Sequence, residues 1–135
     1  MNMNNYDALE NYVEQIVENQ TEDFIKETGI HLMSNHYLES DSEFIFGIVF
    51  CIDGSNDEFE LMKCYEDTYD NHGQFIFNFW QYDVNDKTIR FKRDIHKEHI
   101  ESFTERDAKQ WIADAFNMLL KSTNYRFIDG KFMKN

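Results

Sequence analysis

Between residues 30 and 93 the apolar side chains recur at every second position in five runs, and the connections between runs are too short to cross a sheet. The runs are 30–38 (IHLMSNHYL), 43–53 (EFIFGIVFCID), 58–66 (EFELMKCYE), 74–82 (QFIFNFWQY) and 87–93 (KTIRFKR). Turn-forming stretches separate them: ESDSE, Gly54-Ser55-Asn56-Asp57, DTYDNHG and residues 83–86. Period two marks a strand, and a parallel neighbour would need a crossover of about a dozen residues or more. The pattern therefore predicts an antiparallel meander.

The flanking segments change to the helical period. Tyr6, Leu9, Tyr12, Val13, Ile16 and Val17 share one helix face, with Asn4, Asn5 and Asp7 read as caps. Continued straight, that helix would bury Asp23 and Glu27. Thr21 followed by Glu-Asp is a fresh N-cap, so a kink or second short helix is expected at 21–28, closed by Gly29. A helical turn is read around 95–102. Thr104 to Asp107 then forms a capping box with Asp in place of Glu. It opens a helix over 105–121 whose buried stripe is Ala108, Trp111, Ile112, Ala115, Phe116, Leu119 and Leu120. The tail NYRFIDGKFMKN carries an Asp-Gly step and forms either a terminal hairpin or one added edge strand.

The order α-βββββ-α-β predicts an α+β two-layer sandwich: a sheet of about five or six strands flanked by an N-terminal and a C-terminal helix. With 135 residues and no proline, a single domain over 1–135 is expected. The runs 43–53 and 74–82 are apolar on both faces, unlike a sheet with one solvated side. The expectation is that helices cover both faces; otherwise one face is left for a partner or a second copy.

Charge divides along the chain. Residues 1–86 carry 19 Asp and Glu against Lys26 and Lys63, a net of −17, while 87–135 carry seven acids against eleven Lys and Arg, a net of +4; together these give −13. An aromatic share of 16% places that acidity on a folded protein, not a disordered tail. A strongly anionic surface repels nucleic acid and membranes and attracts basic partners. The N-terminus shows neither a basic n-region nor an apolar h-region, and no run is long enough to span a bilayer. A cytoplasmic protein of a bacterial host cell is expected.

Asp7, Glu10, Glu14, Glu18 and Glu22 recur three or four residues apart, facing away from the apolar side. Their like-charged i,i+4 pairs each cost about 0.2–0.5 kcal/mol, with no Lys interleaved. Such a line imitates the phosphates of one nucleic-acid strand. Asp53, Asp57 and Glu58, and then Glu66, Asp67 and Asp70, extend the sign onto two turns, where Tyr65 and Tyr69 are candidate anchors.

The turn DGSNDE lacks the ligand order of a calcium loop, and His96-Lys-Glu-His99 does not match HExxH. Nucleophile-elbow, P-loop and dinucleotide fingerprints are absent. No catalytic, cofactor-binding or metal-ligating residue is nominated, and no cofactor is expected. Cys51 and Cys64 read as buried structural thiols. An enzyme would place its pocket between the sheet and the 105–121 helix, lined by Trp80, Tyr82, Trp111 and the histidines.

The favoured expectation is a small acidic inhibitor, not an enzyme, that grips a basic nucleic-acid-processing protein, a nuclease or other nucleic-acid-binding protein, through its carboxylates. In style the chain resembles phage-encoded antagonists of restriction or CRISPR nucleases (the anti-CRISPR type of nucleic-acid mimic) and immunity proteins that neutralise nuclease toxins. Neither direct nucleic-acid binding nor membrane binding is expected. The competing expectation is an assembly protein that docks or forms a homodimer through an aromatic sheet face.

Overall fold

The structure, a computed structural model, describes residues 3–40, 43–67, 72–98 and 104–135, with side chains over 7–35, 46–65, 73–97 and 104–135. In chain order the elements are α1 (Met3–Glu18), α2 (Glu22–Thr28), β1 (Ile30–Ser40), β2 (Glu43–Ile52), β3 (Phe59–Asp67), β4 (His72–Asp83), β5 (Thr88–Glu98), α3 (Glu105–Leu119), β6 (Tyr125–Ile128) and β7 (Lys131–Lys134). The five long strands form one antiparallel sheet in the order β1-β2-β3-β4-β5, and β6 and β7 pair separately. This is the expected α+β meander. The tail resolves to a terminal hairpin.

Local signals act where the sequence placed them. Thr21 accepts from Phe24 N, and Gly29, at φ 75°, closes α2 by donating to the Ile25 carbonyl. Thr104 and Asp107 exchange side-chain and backbone hydrogen bonds in a capping box that starts α3. Asp129 and Gly130 both have positive φ, 49° and 81°, the left-handed pair that a tight hairpin turn requires.

Helices cover one face of the sheet, which corrects the expectation of two covered faces. α1 lies on β1 and β2, α3 lies on β4 and β3, and the two helices touch one another, so they share a side. Beneath them Leu32, Phe46, Ile48, Phe50, Met62, Cys64, Phe75 and Phe77 are buried. They meet Leu9, Val13 and Ile16 of α1 and Ala108, Ile112, Ala115, Phe116 and Leu119 of α3 in one core. The intervening residues, among them Met33, Asn35, Val49, Lys63, Gln74 and Ile76, keep partial exposure. Of the aromatic residues of 74–82, Phe75, Phe77, Phe79 and Tyr82 are buried and Trp80 is half-buried.

Two further expectations change. The helical turn at 95–102 is strand as far as Glu98, because Ile95 and Lys97 extend the ladder opposite Phe77 and Phe75; residues 99–103 lie outside the described residues. Asn4, Asn5 and Asp7 do not cap α1, which begins at Met3 and so contains them.

Among the described residues, register shifts break the alternation three times, the first between Leu38 and Ser40 of β1. Register shifts between Ile48 and Val49 of β2 leave Leu61 of β3 as the additional residue. A shift between Phe79 and Trp80 does the same for Lys92 of β5. Beside the Leu61 bulge the Glu60 carbonyl accepts from Trp80 Nε1 at 2.8 Å and from Asn78 Nδ2 at 3.1 Å, so side chains replace the ladder there.

The end of α2 is fastened to β4. Tyr82 donates its hydroxyl to the Thr28 carbonyl at 2.7 Å, and the Thr28 hydroxyl donates to the Phe24 carbonyl at 2.6 Å. Among the described residues no helix is long and apolar enough to cross a membrane.

Tyr82→Phe leaves the buried Thr28 carbonyl without its donor and should cost about 1–2 kcal/mol in urea unfolding. An unchanged midpoint would contradict the assignment. Gly47→Ala would set a Cβ 2.4 Å from the Met62 carbonyl oxygen. The β2–β3 backbone must then shift, and a loss of about 1–3 kcal/mol is expected in the same measurement.

Candidate partner-binding surface

α1 turns Leu9, Val13 and Ile16 into the core, and the geometry of a helix then puts Asp7, Glu14 and Glu18 out in solvent on the opposite side. Glu10 is half-buried at the flank of that line. At 1.5 Å per residue Asp7 and Glu18 are about 16 Å apart. Glu22 does not continue the line. It stands exposed in the first turn of α2 beside Asp23, where a carboxylate offsets the positive end of the helix.

Asp53, Asp57 and Glu58 are exposed on the β2–β3 turn. Asp53 N donates to the Gly29 carbonyl at 2.9 Å, so this acidic turn lies where α2 ends. Glu66 and Asp67 close β3 at its other end, about 26 Å along the strand. Tyr65 is half-buried, and its hydroxyl donates to Gln74 Oε1 on β4. Asp70 and Tyr69 lie outside the described residues. The nominated acids therefore form separate groups: the α1 line, the turn beside the end of α2, and the far end of β3.

Lys109 of α3 lies over the Tyr12 ring of α1 at 4.6 Å, but the cations of β5 are placed elsewhere. In a meander, chain order is spatial order, so β5 with Arg90, Lys92, Arg93 and Lys97 takes the edge opposite β1. Four inter-strand steps separate these edges by about 19 Å. Arg90 donates to Gln81 Oε1 at 3.0 Å, Arg93 lies over the Phe79 ring, and Lys97 over the Trp111 ring. Ion pairs join Lys63 to Glu60, Lys109 to Glu105 and Lys134 to Glu27. Among the described residues no ion pair joins Arg90, Lys92 or Arg126 to Asp7, Glu18 or Glu22.

Among the described residues, Trp80, Tyr82 and Trp111 do not line one common cleft. Trp111 borders a hollow of about 100 Å³ with Phe77, Phe79 and Ile95, whereas Tyr82 borders a different cleft with Arg90 and Ser122. Trp80 belongs to neither, stacking edge-on with Phe59 and Phe91 instead. A larger cleft of about 580 Å³ runs between α1 and α3 past Tyr12, Arg106, Lys109 and Asp129. Burial, and then Asp129, push the Tyr12 hydroxyl up to about 12. Cys64 is buried but Cys51 is half-exposed, which corrects the expectation of two buried thiols; four residues of β2 lie between Cys51 and Phe46, the register partner of Cys64. Among the described residues no three His, Cys, Asp or Glu side chains converge as a metal site.

Sequence reasoning missed two polar devices, both made by contacts distant in sequence. Gln20 binds both backbone groups of Leu32. Glu27 accepts from Lys134 Nζ at 2.8 Å and from the Tyr125 hydroxyl, tying α2 to the terminal hairpin. The register slip that brought Glu27 toward the core side was the available sign of this contact.

Compared with protein families, curated proteins and solved structures, the chain gives no match.

Lys134, and after it Tyr125, hold the Glu27 carboxyl below its ordinary value of 4.5 by hydrogen bonding. A carboxyl lowered on folding contributes stability that is present above the unfolded value and is lost as pH falls through the folded one. The stability gap between wild type and Glu27→Gln should therefore be full at neutral pH and shrink below 4.5. Urea midpoints measured across that range check it; a gap independent of pH would contradict it.

Proposed function

We propose that this protein is a small acidic inhibitor that occupies the phosphate-binding groove of a basic, nucleic-acid-processing protein. The observation that carries the reading is the α1 face, where Asp7, Glu14 and Glu18 stand exposed with Glu10 at their flank. Successive i,i+4 carboxylates rise by about 6 Å, a repeat that a cleft lined with Lys and Arg can meet as it meets a phosphate strand. The acidic turn with Asp53, Asp57 and Glu58 adds charge at the end of α2. Complementary charge of this kind speeds encounter and selects the partner. An antagonist of restriction or CRISPR nucleases and an immunity protein against a nuclease toxin are the two biological forms of this chemistry.

A second reading, an assembly protein that pairs through the outer face of the sheet, is favoured by the placement of α1 and α3 on one side. Salt separates the two. A charge-driven partner is released as ionic strength rises, whereas sheet-face dimerisation persists in high salt.

The direct test is affinity capture from host lysate at low salt, with the captured protein identified and then challenged with duplex DNA. The inhibitor reading expects a basic nucleic-acid-binding protein that DNA displaces, and no capture by the folded variant with Glu10, Glu14 and Glu18 changed to Lys. Capture that survives the triple reversal, or that DNA leaves untouched, would overturn it.

A further inference from the structure

The two edges of the main sheet differ. At β1 the side chain of Gln20 occupies the outward backbone groups of Leu32: Leu32 N donates to Oε1 at 2.9 Å, and Nε2 donates to the Leu32 carbonyl at 2.8 Å. A side-chain amide thus stands where another strand would pair. At β5, among the described residues, the backbone of 88–97 makes no hydrogen bond beyond its ladder with β4. That strand is 11 residues long. An open edge of such length is a template for another strand.

Aromatic rings lead to this edge. Phe50 of β2 stacks with Phe59 of β3 at 5.4 Å between centroids, Phe59 meets Trp80 of β4 at 5.2 Å, and Trp80 meets Phe91 of β5 at 5.3 Å. Phe91 ends the ladder at 49% exposure. Beside it the segment 87–98 carries Lys87, Arg90, Lys92, Arg93 and Lys97 against Asp94 and Glu98, a local excess of cations in a chain of net charge −13.

These features choose among occupants. A second copy pairing β5 with β5 would set Arg and Lys against Arg and Lys, and like charges directly opposite destabilise a sheet. A nucleic-acid strand would need several exposed rings in a row on which to stack. Phe91 is the exposed ring of this edge, and the outward N–H and C=O groups have no counterpart on a sugar–phosphate backbone. An extended peptide satisfies both the backbone row and the ladder, and carboxylates satisfy the cations.

We infer that the free edge of β5 accepts an extended acidic peptide as a sixth strand, with an aromatic or branched residue seated on Phe91 and carboxylates meeting Arg90 and Lys92. The α1 carboxylates do not prevent this. At about 0.15 M salt the Debye length is about 8 Å. α1 lies over β1 and β2, and three inter-strand steps, about 14 Å, separate β2 from β5.

The probe is a fluorescein-labelled peptide of 11 residues, matched to β5 and alternating glutamate with valine around one central phenylalanine. In an anisotropy titration at physiological salt the wild-type protein binds it saturably, and backbone amide shifts in NMR spectra concentrate on residues 88–97. Phe91→Ala and Lys92→Glu, both at exposed positions, each weaken binding by about tenfold. N-methylation of every second peptide amide weakens it at least as much. The inference fails if no binding appears up to about 1 mM peptide. It fails equally if the methylated peptide binds as well as the parent, if the shifts map elsewhere on the wild-type protein, or if an oligothymidylate of equal length binds more tightly and displaces the peptide.

Discussion

One-sided burial of the sheet is the constraint on which the remaining structure depends. Phe46, Ile48, Phe50, Phe75 and Phe77 lie beneath α1 and α3 with essentially no exposure, and burying each such side chain contributes about 1.5–3 kcal/mol. The terminal hairpin belongs to the same core: Phe127 stacks on Phe116 at 4.6 Å and Phe132 on Phe24 at 4.4 Å. With α1 fixed by Leu9, Val13 and Ile16, its rotation about its own axis is settled, and Asp7, Glu14 and Glu18 must face solvent. The acidic line is thus a consequence of packing as well as of composition.

Topology converts the charge division along the chain into a division in space. A meander adds each strand beside the last, so acids early in the chain gather around α1, α2 and the β2–β3 turn, and the cations of 87–97 fall on the last strand. A fold with a crossover would have mixed them. The same order leaves two edges with different fates: Gln20 fills one at Leu32, and the other remains a free row of backbone groups beside Arg90, Phe91 and Lys92.

What the sequence disclosed was local. Gly29 and Thr104 are caps whose chemistry acts within four residues, and both stand where the pattern put them. The strands and their antiparallel order followed from period two and short turns. What stayed hidden was set by distant partners. Leu61 is the additional residue opposite β2 and Lys92 the additional residue opposite β4, which no spacing within β3 or β5 reveals. Residues 95–98 read as helical by themselves and became strand through pairing with β4. The apolar residues on both sides of 43–53 and 74–82 suggested two covered faces, but Val49 and Ile76 are left half-exposed, the cost of which a strand of mixed neighbours tolerates. The nominated acids shared a sign in sequence, yet β3 carries Glu66 and Asp67 away from Asp53, Asp57 and Glu58 by its full length.

The central claim is that the strands stack in chain order, with the β1 edge filled at Leu32 by the Gln20 side chain and the β5 edge open over 88–97. Amide hydrogen exchange in the native protein reads this residue by residue. Leu32, although on an edge strand, should exchange slowly because Gln20 accepts its N–H, while alternate amides of 88–97 exchange fast. Uniform protection along β5, or a Leu32 amide as labile as those outward amides, would contradict the account.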